Sequence, residues 1–222
     1  MTDPVIEPGR PVMEPVEIFL ASRNRKKLAE MQRILAERLP GITVLGLDDV
    51  APYDEPVEDQ PDFSGNALVK AHAGVVATGL PSLADDSGLC VDALNGMPGV
   101  LSARWSGREK DDARNNRLLL DQLADVPDAR RGAEFRCAIA FCHHDGSGGL
   151  LEHVVEGVMP GRVIRETRGS GGFGYDVVFV PDDQDGGLTS AEMTAEAKDA
   201  ISHRGRALRE IAPVVVEVLS GR

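Results

Sequence analysis

Strand-like apolar runs alternate with helical patterns along the first part of the chain, and this alternation narrows the choice of fold more than any other feature. The apolar run VEIFLA predicts a strand, and the spacing of apolar residues after it predicts a helix. The predicted elements are strands at 16–21 and 42–47 and helices at 26–39 and 66–78. A loop rich in Asp, Glu and Pro precedes the second helix.

The second half of the chain predicts a hairpin, because two apolar runs flank the turn-rich segment HHDGSGG. These strands are predicted at 133–142 and 150–157, with a further strand at 177–180 and helices at 112–123 and 202–219. Pro213 lies inside the last helix and can kink or divide it. Early alternation and a late hairpin together predict an α/β fold with a mixed, twisted sheet flanked by helices.

The charge balance limits the partners of this chain. It carries 36 acidic and 24 basic residues, for a net charge of −12. Proteins that bind nucleic acid or anionic membranes normally present a basic face, so we expect neither partner. No apolar run approaches the ~20 residues of a membrane span. A small anionic ligand remains compatible, because local Lys and Arg clusters occur in acidic proteins.

The first residues differ in composition from the rest. The segment MTDPVIEPGRPVMEPVE holds four prolines and lacks the basic and apolar regions of a signal peptide. We expect a flexible leader over 1–15 and a single domain over 16–222. The three cysteines are an odd number without a CxxC pattern, which is typical of free thiols in a reducing cytosol. We therefore expect a cytoplasmic protein.

The stretch LADDSG at 83–88 places two adjacent aspartates, Asp85 and Asp86, after a short apolar run. We predict short strands at 82–84 and 89–91 with the aspartates in a turn between them. Neighbouring like charges repel, and a buried unpaired carboxylate is costly. The pair therefore either faces water or lies beside positive groups. A Mg²⁺ ion held by one carboxylate is one such arrangement, and Glu58 in the acidic loop is a second candidate ligand.

Two basic segments sit where helices begin. SRNRKKL at 22–28 follows the first strand, and a strand-to-helix turn offers free N–H groups to anions, with Ser22, Asn24 and Lys27 as further donors. It is not a P-loop, and a solvated helix start is the alternative. SHRGRAL at 202–208 puts cations in a first helical turn, against the helix dipole. This conflict favours a functional role, with an exposed basic surface as the alternative.

The glycine-rich stretch GSGGFG at 169–174 matches GxGxxG in spacing only. A dinucleotide fingerprint requires a helix after the glycines, but the strand-like YDVVFVP follows. We therefore interpret it as a loop whose backbone approaches a ligand, with Phe173 and Tyr175 able to stack on a flat ring. A plain hairpin turn is the alternative.

Four stretches occur together in an order that resembles one family, the Ham1-like nucleoside triphosphate pyrophosphatases. They are LASRNRKKLAEM, SLADDSGLCVDALNGMPGVLSARWSG, GSGGFGYDVVFVP and AEAKDAISHRGRAL, and the resemblance covers about residues 16–219. It implies a two-lobed, Ham1/Maf-like architecture with the active site in a cleft between the lobes, and a homodimer. It also implies Mg²⁺-dependent hydrolysis of non-canonical purine triphosphates (ITP, dITP, XTP) to the monophosphate and pyrophosphate, which cleanses the nucleotide pool.

The resemblance assigns roles to individual residues. Asp86 resembles the family's proton acceptor and metal ligand, and Glu58 falls at a second metal-site position. The substrate-binding positions are Ser22, Asn24, Lys27 and Lys70 for phosphate, Ser87, and Phe173, Gly174, Tyr175, Asp176, Lys198, His203 and Arg204 for the nucleoside. Arg23 and Lys26 occupy places where the family often has glycine, and Gly65 replaces an acidic residue. The alternatives are a Maf-like pyrophosphatase acting on other modified nucleotides and a catalytically silent nucleotide-binding protein.

Overall fold

The structure is a computed structural model that describes residues 16–221. The predicted leader over 1–15 lies outside this range. Six strands form one sheet in the order β2-β1-β3-β4-β5-β6. They are β1 (Val16–Leu20), β2 (Ile42–Leu45), β3 (Ser82–Val91), β4 (Gly132–His144), β5 (Leu150–Val163) and β6 (Phe179–Pro181). β1 pairs in parallel with β2 and β3, and the remaining neighbours are antiparallel, so the predicted mixed sheet is confirmed.

Within residues 16–221, five α-helices accompany the sheet. They are α1 (Arg25–Arg38), α2 (Phe63–Thr78), α3 (Asp112–Gln122), α4 (Ala195–Ile201) and α5 (His203–Ser220). α1 and α5 pack through residues such as Met31 and Ile211 against one face of the central strands, and α2 packs on the other face through Ala67 and Ala71. Among the helices of the described residues, none has the length and apolar character needed to cross a membrane.

The predicted turn at Asp85 and Asp86 was wrong. β3 runs without interruption from Ser82 to Val91, and every residue of it pairs with β4. Successive side chains of a strand point to opposite faces. The two carboxylates therefore lie on different faces of the sheet, Asp85 towards α1 and α5 and Asp86 towards α2, which relieves much of the repulsion that favoured a turn.

Other elements differ from the prediction in smaller ways. α4 was not predicted; Thr194 caps it through a hydrogen bond to the N–H of Ala197. α2 begins three residues before the predicted start, because Asp62 provides its N-cap. Asp176–Val178 forms a 3-10 turn, and the strand that follows is short. α5 continues through Pro213, where buried Ile211, Ala212 and Val215 hold the helix in the core.

Candidate active site

Asp85 is a buried carboxylate held by two cations from different helices. Its Oδ2 accepts from Lys27 Nζ at 2.8 Å and from Arg204 Nε at 3.2 Å. Burial alone would raise the pKa of Asp85, but the charges of Lys27, Arg204 and Lys70 hold it well below the usual 3.8. Asp85 is therefore ionised at neutral pH, and it joins the start of α1 to the start of α5 through β3.

Arg204 is fixed in a second set of contacts. Its Nη1 donates to Glu30 Oε2 at 2.8 Å, and its Nη2 donates to Ser87 Oγ at 3.2 Å. Burial opposes ionisation of this guanidinium, yet Asp85 and Glu30 raise its pKa further. The side chain is thus a permanently charged donor locked in one orientation, and each Nη retains a further N–H group for a ligand.

Asp86 lies on the other face of β3 among residues of α2. Its Oδ2 accepts from Asn66 Nδ2 at 3.0 Å, and its Oδ1 lies 3.5 Å from Lys70 Nζ. Burial raises the pKa of Asp86 above 3.8, although Lys70 and the Asn66 hydrogen bond oppose this rise. A carboxylate with a raised pKa is a stronger proton acceptor than an ordinary surface carboxylate.

Lys70 connects the two aspartates with Glu58. Its ammonium group donates to the carbonyl oxygen of Asp85 at 2.8 Å and lies 3.3 Å from Glu58 Oε1. Burial alone lowers the pKa of Lys70, but Asp86, Asp85 and Glu58 outweigh it and raise that pKa above 10.5. The fold therefore brings together Lys70, Glu58 and Asp86, three of the residues to which the resemblance gave a role.

The carboxylates of Glu58 and Asp86 suit a divalent cation. Both lie within 3.5 Å of one ammonium group, so a single positive charge already sits between them. Within residues 16–221 no group of three or more His, Cys, Asp or Glu side chains is arranged to hold a metal. Mg²⁺ usually takes only one or two protein carboxylates and keeps waters and phosphate oxygens as other ligands. Two carboxylates are therefore a donor set that fits Mg²⁺.

The segment between β1 and α1 has its shape set by its own side chains. Asn24 caps α1, and its Oδ1 accepts from the N–H groups of Lys26 and Lys27 at 3.0 and 3.3 Å. Ser22 Oγ accepts from the N–H of Asn24 at 3.1 Å. In this structure Ser22 and Asn24 thus organise the loop, while Lys27 points its ammonium group towards Asp85.

Phe173 projects from the glycine-rich loop between two cations. Lys198 Nζ lies 5.4 Å and the Arg204 guanidinium carbon 5.7 Å from the centre of its ring. Buried Asp176 holds this arrangement, since its Oδ2 accepts from Lys198 Nζ at 2.5 Å and from the N–H of Phe173 at 2.8 Å. Gly172 has φ +69°, and a Cβ there would lie 2.0 Å from Asp176, so the turn requires glycine.

His203 and Tyr175 are both buried. His203 stacks on Phe135 with the ring centres 5.0 Å apart. Burial, together with Arg204 and Lys198, lowers the pKa of His203 well below 6.5, so this ring is neutral at pH 7. Tyr175 packs in the core and donates from its hydroxyl to Ser102 O at 2.9 Å. The expectation that the Tyr175 ring can stack on a ligand is therefore not supported by its placement.

Gly174 is tied to α3 through its backbone. Its N–H donates to Asp112 Oδ2 at 2.7 Å, and its carbonyl accepts from Asn116 Nδ2 at 2.8 Å. The site also contains residues to which the sequence reasoning gave no role, namely Glu30, Asn66 and Asp85. Glu30 follows Lys27 by three positions on α1, a spacing that places both on one helix face and was the available signal.

Comparisons with known proteins show which family this chain belongs to. A sequence model of the Ham1 family matches residues 18–214. The dITP/XTP pyrophosphatase of Nocardia farcinica is 57% identical over 204 residues, which cover 91% of this chain and 96% of that protein. The dITP/XTP pyrophosphatase of Mycobacterium tuberculosis H37Rv is 55% identical over 206 residues, covering 92% and 98%.

Solved structures give the same result. The crystal structure of a nucleoside-triphosphatase / dITP/XTP pyrophosphatase from Mycobacterium abscessus shares 54% identity, with a TM-score of 0.70 and coverage of 89% of this chain and 99% of that one. A HAM1 protein from Coxiella burnetii shares 40% identity, with a TM-score of 0.79 and coverage of 91% and 99%. Sequence and fold comparisons therefore point to one group of proteins.

Proposed function

The chain belongs to the Ham1 family, and on that premise we propose that it hydrolyses ITP, dITP and XTP to the monophosphate and pyrophosphate and so cleanses the nucleotide pool. One observation carries this proposal. A continuous line of contacts runs from the Glu58–Lys70–Asp86 group through Asp85 to Arg204 and the Phe173 ring. Groups suited to a polyphosphate and groups suited to a purine base thus lie side by side.

The phosphate end of the site holds two preorganised ammonium groups. Lys27 and Lys70 bring ammonium groups to opposite faces of β3, and the first N–H groups of α1 add a positive dipole end. A triphosphate neutralises these charges and is held with its α-phosphorus near Asp86. Fixed charges of this kind stabilise the charge that develops in the transition state without further reorganisation.

Asp86 is proposed as the general base. It orients a water molecule and accepts its proton as the water oxygen bonds to the α-phosphorus. The bond between that phosphorus and the bridging oxygen breaks, and pyrophosphate leaves with the electron pair. The raised pKa of Asp86 brings its basicity closer to the working pH, which favours proton acceptance. No covalent intermediate is required.

Glu58 and Asp86 are the residues that would hold Mg²⁺. When bound, this ion acts as a Lewis acid that offsets negative charge on the phosphate oxygens. Lys70 lies near both carboxylates in this structure, and its ammonium group would add a positive charge for phosphate oxygens beside the ion.

The purine end of the site distinguishes bases through its hydrogen-bond donors. Phe173 offers a flat ring for stacking, and Lys198, Arg204 and His203 offer N–H groups to a 6-oxo acceptor. Adenine presents an amino group at that position, so donors would face donors. Each unpaired buried donor costs about 1–3 kcal/mol, which corresponds to roughly ten- to hundredfold rejection.

A nucleotide panel tests the function directly. ITP, dITP, XTP, GTP, ATP and a pyrimidine triphosphate are incubated with and without Mg²⁺, and pyrophosphate and phosphate are measured separately. We expect pyrophosphate release from ITP, dITP and XTP only with Mg²⁺ and with little release from ATP. Preference for a modified pyrimidine nucleotide would support the Maf-like alternative. Tight ITP binding without pyrophosphate release would support a catalytically silent binding protein.

Arg204→Ala is expected to narrow the preference for ITP over ATP by about ten- to hundredfold. The variant removes a donor aimed at the 6-oxo group, and the ratio of kcat/KM for the two nucleotides reports the change. Because Asp85 loses a partner in this variant, Lys198→Met provides a second donor deletion outside the Asp85 contacts. A preference that is unchanged in both folded variants would assign base selection to other residues.

Further properties that the family resemblance implies for this chain are proposals. We propose a cytoplasmic homodimer in which residues 16–222 act as one domain with the site in a cleft between two lobes, and we propose no nucleic-acid or membrane partner. The net charge of −12 supports the expectation of no nucleic-acid or anionic-membrane partner, and the single sheet through the described residues supports one domain. A monomer in light scattering at micromolar concentration would contradict the homodimer.

A further inference from the structure

Lys26 connects two segments that are far apart in sequence. It lies at the start of α1, next to the phosphate-binding Lys27, and its Nζ donates to the carbonyl oxygen of Gly172 at 2.7 Å. Among residues 16–221 this is the one hydrogen bond that its ammonium group makes, and no carboxylate there pairs with it. A charged donor is thus directed at a single backbone carbonyl of the glycine-rich loop.

That carbonyl belongs to the peptide unit between Gly172 and Phe173. The N–H of the same peptide unit donates to Asp176 Oδ2 at 2.8 Å. Both polar ends of one planar group are therefore held, the carbonyl by Lys26 and the N–H by Asp176. This planar unit also carries the Cα atom of Phe173, so holding both of its ends fixes the point from which the Phe173 ring projects.

The two anchors differ in strength. Asp176 is buried and also holds Lys198, so the N–H end is fixed within the protein. Lys26 is exposed, and Gly172 has the permissive φ of +69° that only glycine adopts readily. The carbonyl end is therefore the movable end, and the Lys26 contact is what restrains it.

We propose that Lys26 is a positioning residue of the nucleobase site, whose ammonium group ties the phosphate loop to the Gly172–Phe173 peptide and so holds the Phe173 ring in place to stack on the bound base. This inference rests on the proposed function, since it names how the same site orders its base-stacking ring. This role also gives a reason for a lysine at position 26, where the family often has glycine. The Lys26 side chain restrains the glycine-rich loop at 169–174.

A role in positioning differs from a simple contact with phosphate. If Lys26 acts through Phe173, its loss weakens ligands that carry a base and spares ligands that consist of phosphate alone. If it only attracts anions, both kinds of ligand weaken together. The products of the proposed reaction supply the matched pair of probes: IMP carries the base, and inorganic pyrophosphate does not.

The test compares Lys26→Met with Arg25→Met by titration calorimetry. Arg25 is the neighbouring exposed residue, so both variants lose one positive charge at the same helix end. We expect Lys26→Met to raise the Kd of IMP and the KM for ITP by about three- to tenfold relative to Arg25→Met. The pyrophosphate Kd and kcat should match in the two variants, and Lys26→Arg should retain IMP binding. Equal IMP affinities in the two Met variants, or equal losses for both ligands, would overturn the proposal.

A double-mutant cycle with Phe173→Leu supplies a second readout. When the aromatic ring is absent, Lys26→Met should change IMP binding by less than twofold, because contacting groups that act together are not additive. A full three- to tenfold effect without the ring would contradict positioning through Phe173. Failure of the proposed function is distinguishable, since the wild-type protein would then not hydrolyse ITP, whatever its affinity for IMP.

Discussion

Asp86→Asn is expected to lower kcat for ITP hydrolysis by about 10²- to 10⁴-fold while the protein stays folded. The amide cannot accept the proton of the attacking water, and it is a weaker ligand for a divalent ion. Asn66 and Lys70 both donate to the Asp86 carboxylate, so one of these donors loses its acceptor in the variant. That loss costs about 1–3 kcal/mol of unfolding free energy, which a folded domain tolerates.

The measurements for Asp86→Asn separate chemistry from folding. Steady-state release of pyrophosphate gives kcat, and a urea titration gives the unfolding free energy. The matched control is Asp125→Asn, an exposed residue in the turn after α3, which should retain wild-type kcat. An Asp86→Asn protein with full activity would remove this residue from the mechanism.

The fold was predictable where pattern and physical cause coincide. Alternating strand and helix signals gave β1, α1 and β2 close to their observed bounds. The hairpin signal gave β4 and the first part of β5, which continues to Val163, six residues beyond the predicted end at 157. α4 was missed because it is short and polar, and its N-cap Thr194 carries the only strong local signal. Pro213 left open a kink or a division of the last helix, but α5 continues through it, since burial of its neighbours in the core outweighs the lost hydrogen bond.

The sequence motifs named candidate site residues, but they did not predict on which face of the sheet each residue lies. The resemblance pointed to Lys70, Glu58 and Asp86, which the structure brings together. It did not predict that Asp85 and Asp86 face opposite sides of β3, because the charge repulsion of a DD pair suggested a turn. The cations that make a continuous strand acceptable lie 58 and 119 positions away from Asp85, on Lys27 and Arg204. Such long-range pairing leaves no local trace in the sequence around residue 85.

Asp85→Asn is expected to destabilise the protein by about 3–5 kcal/mol at pH 7, because it leaves the partly buried Lys27 and the buried Arg204 without their shared counter-charge. Lys27 and Arg204 both donate to Asp85, and the side chains of Arg204 and Asp85 are almost fully buried. Glu30 still pairs with Arg204, so Lys27 bears much of the cost. Adding Lys27→Met to Asp85→Asn should therefore recover part of the lost stability. Chemical unfolding curves of the two variants and of the Asp125→Asn control supply the comparison.

The ion pairs of Asp85 also predict how the stability lost in Asp85→Asn depends on pH. The folded pKa of Asp85 lies well below its unfolded value near 3.8, since Lys27, Arg204 and Lys70 outweigh the burial that opposes ionisation. A depressed acid pKa contributes stability that is fully present above the unfolded pKa and is lost as the pH falls towards the folded one. The stability gap between wild type and Asp85→Asn should therefore stay constant from pH 7 to about 5 and shrink below pH 4. A gap under 1 kcal/mol at pH 7, or one that widens on acidification, would show that the charge of Asp85 does not hold α1 and α5 to β3.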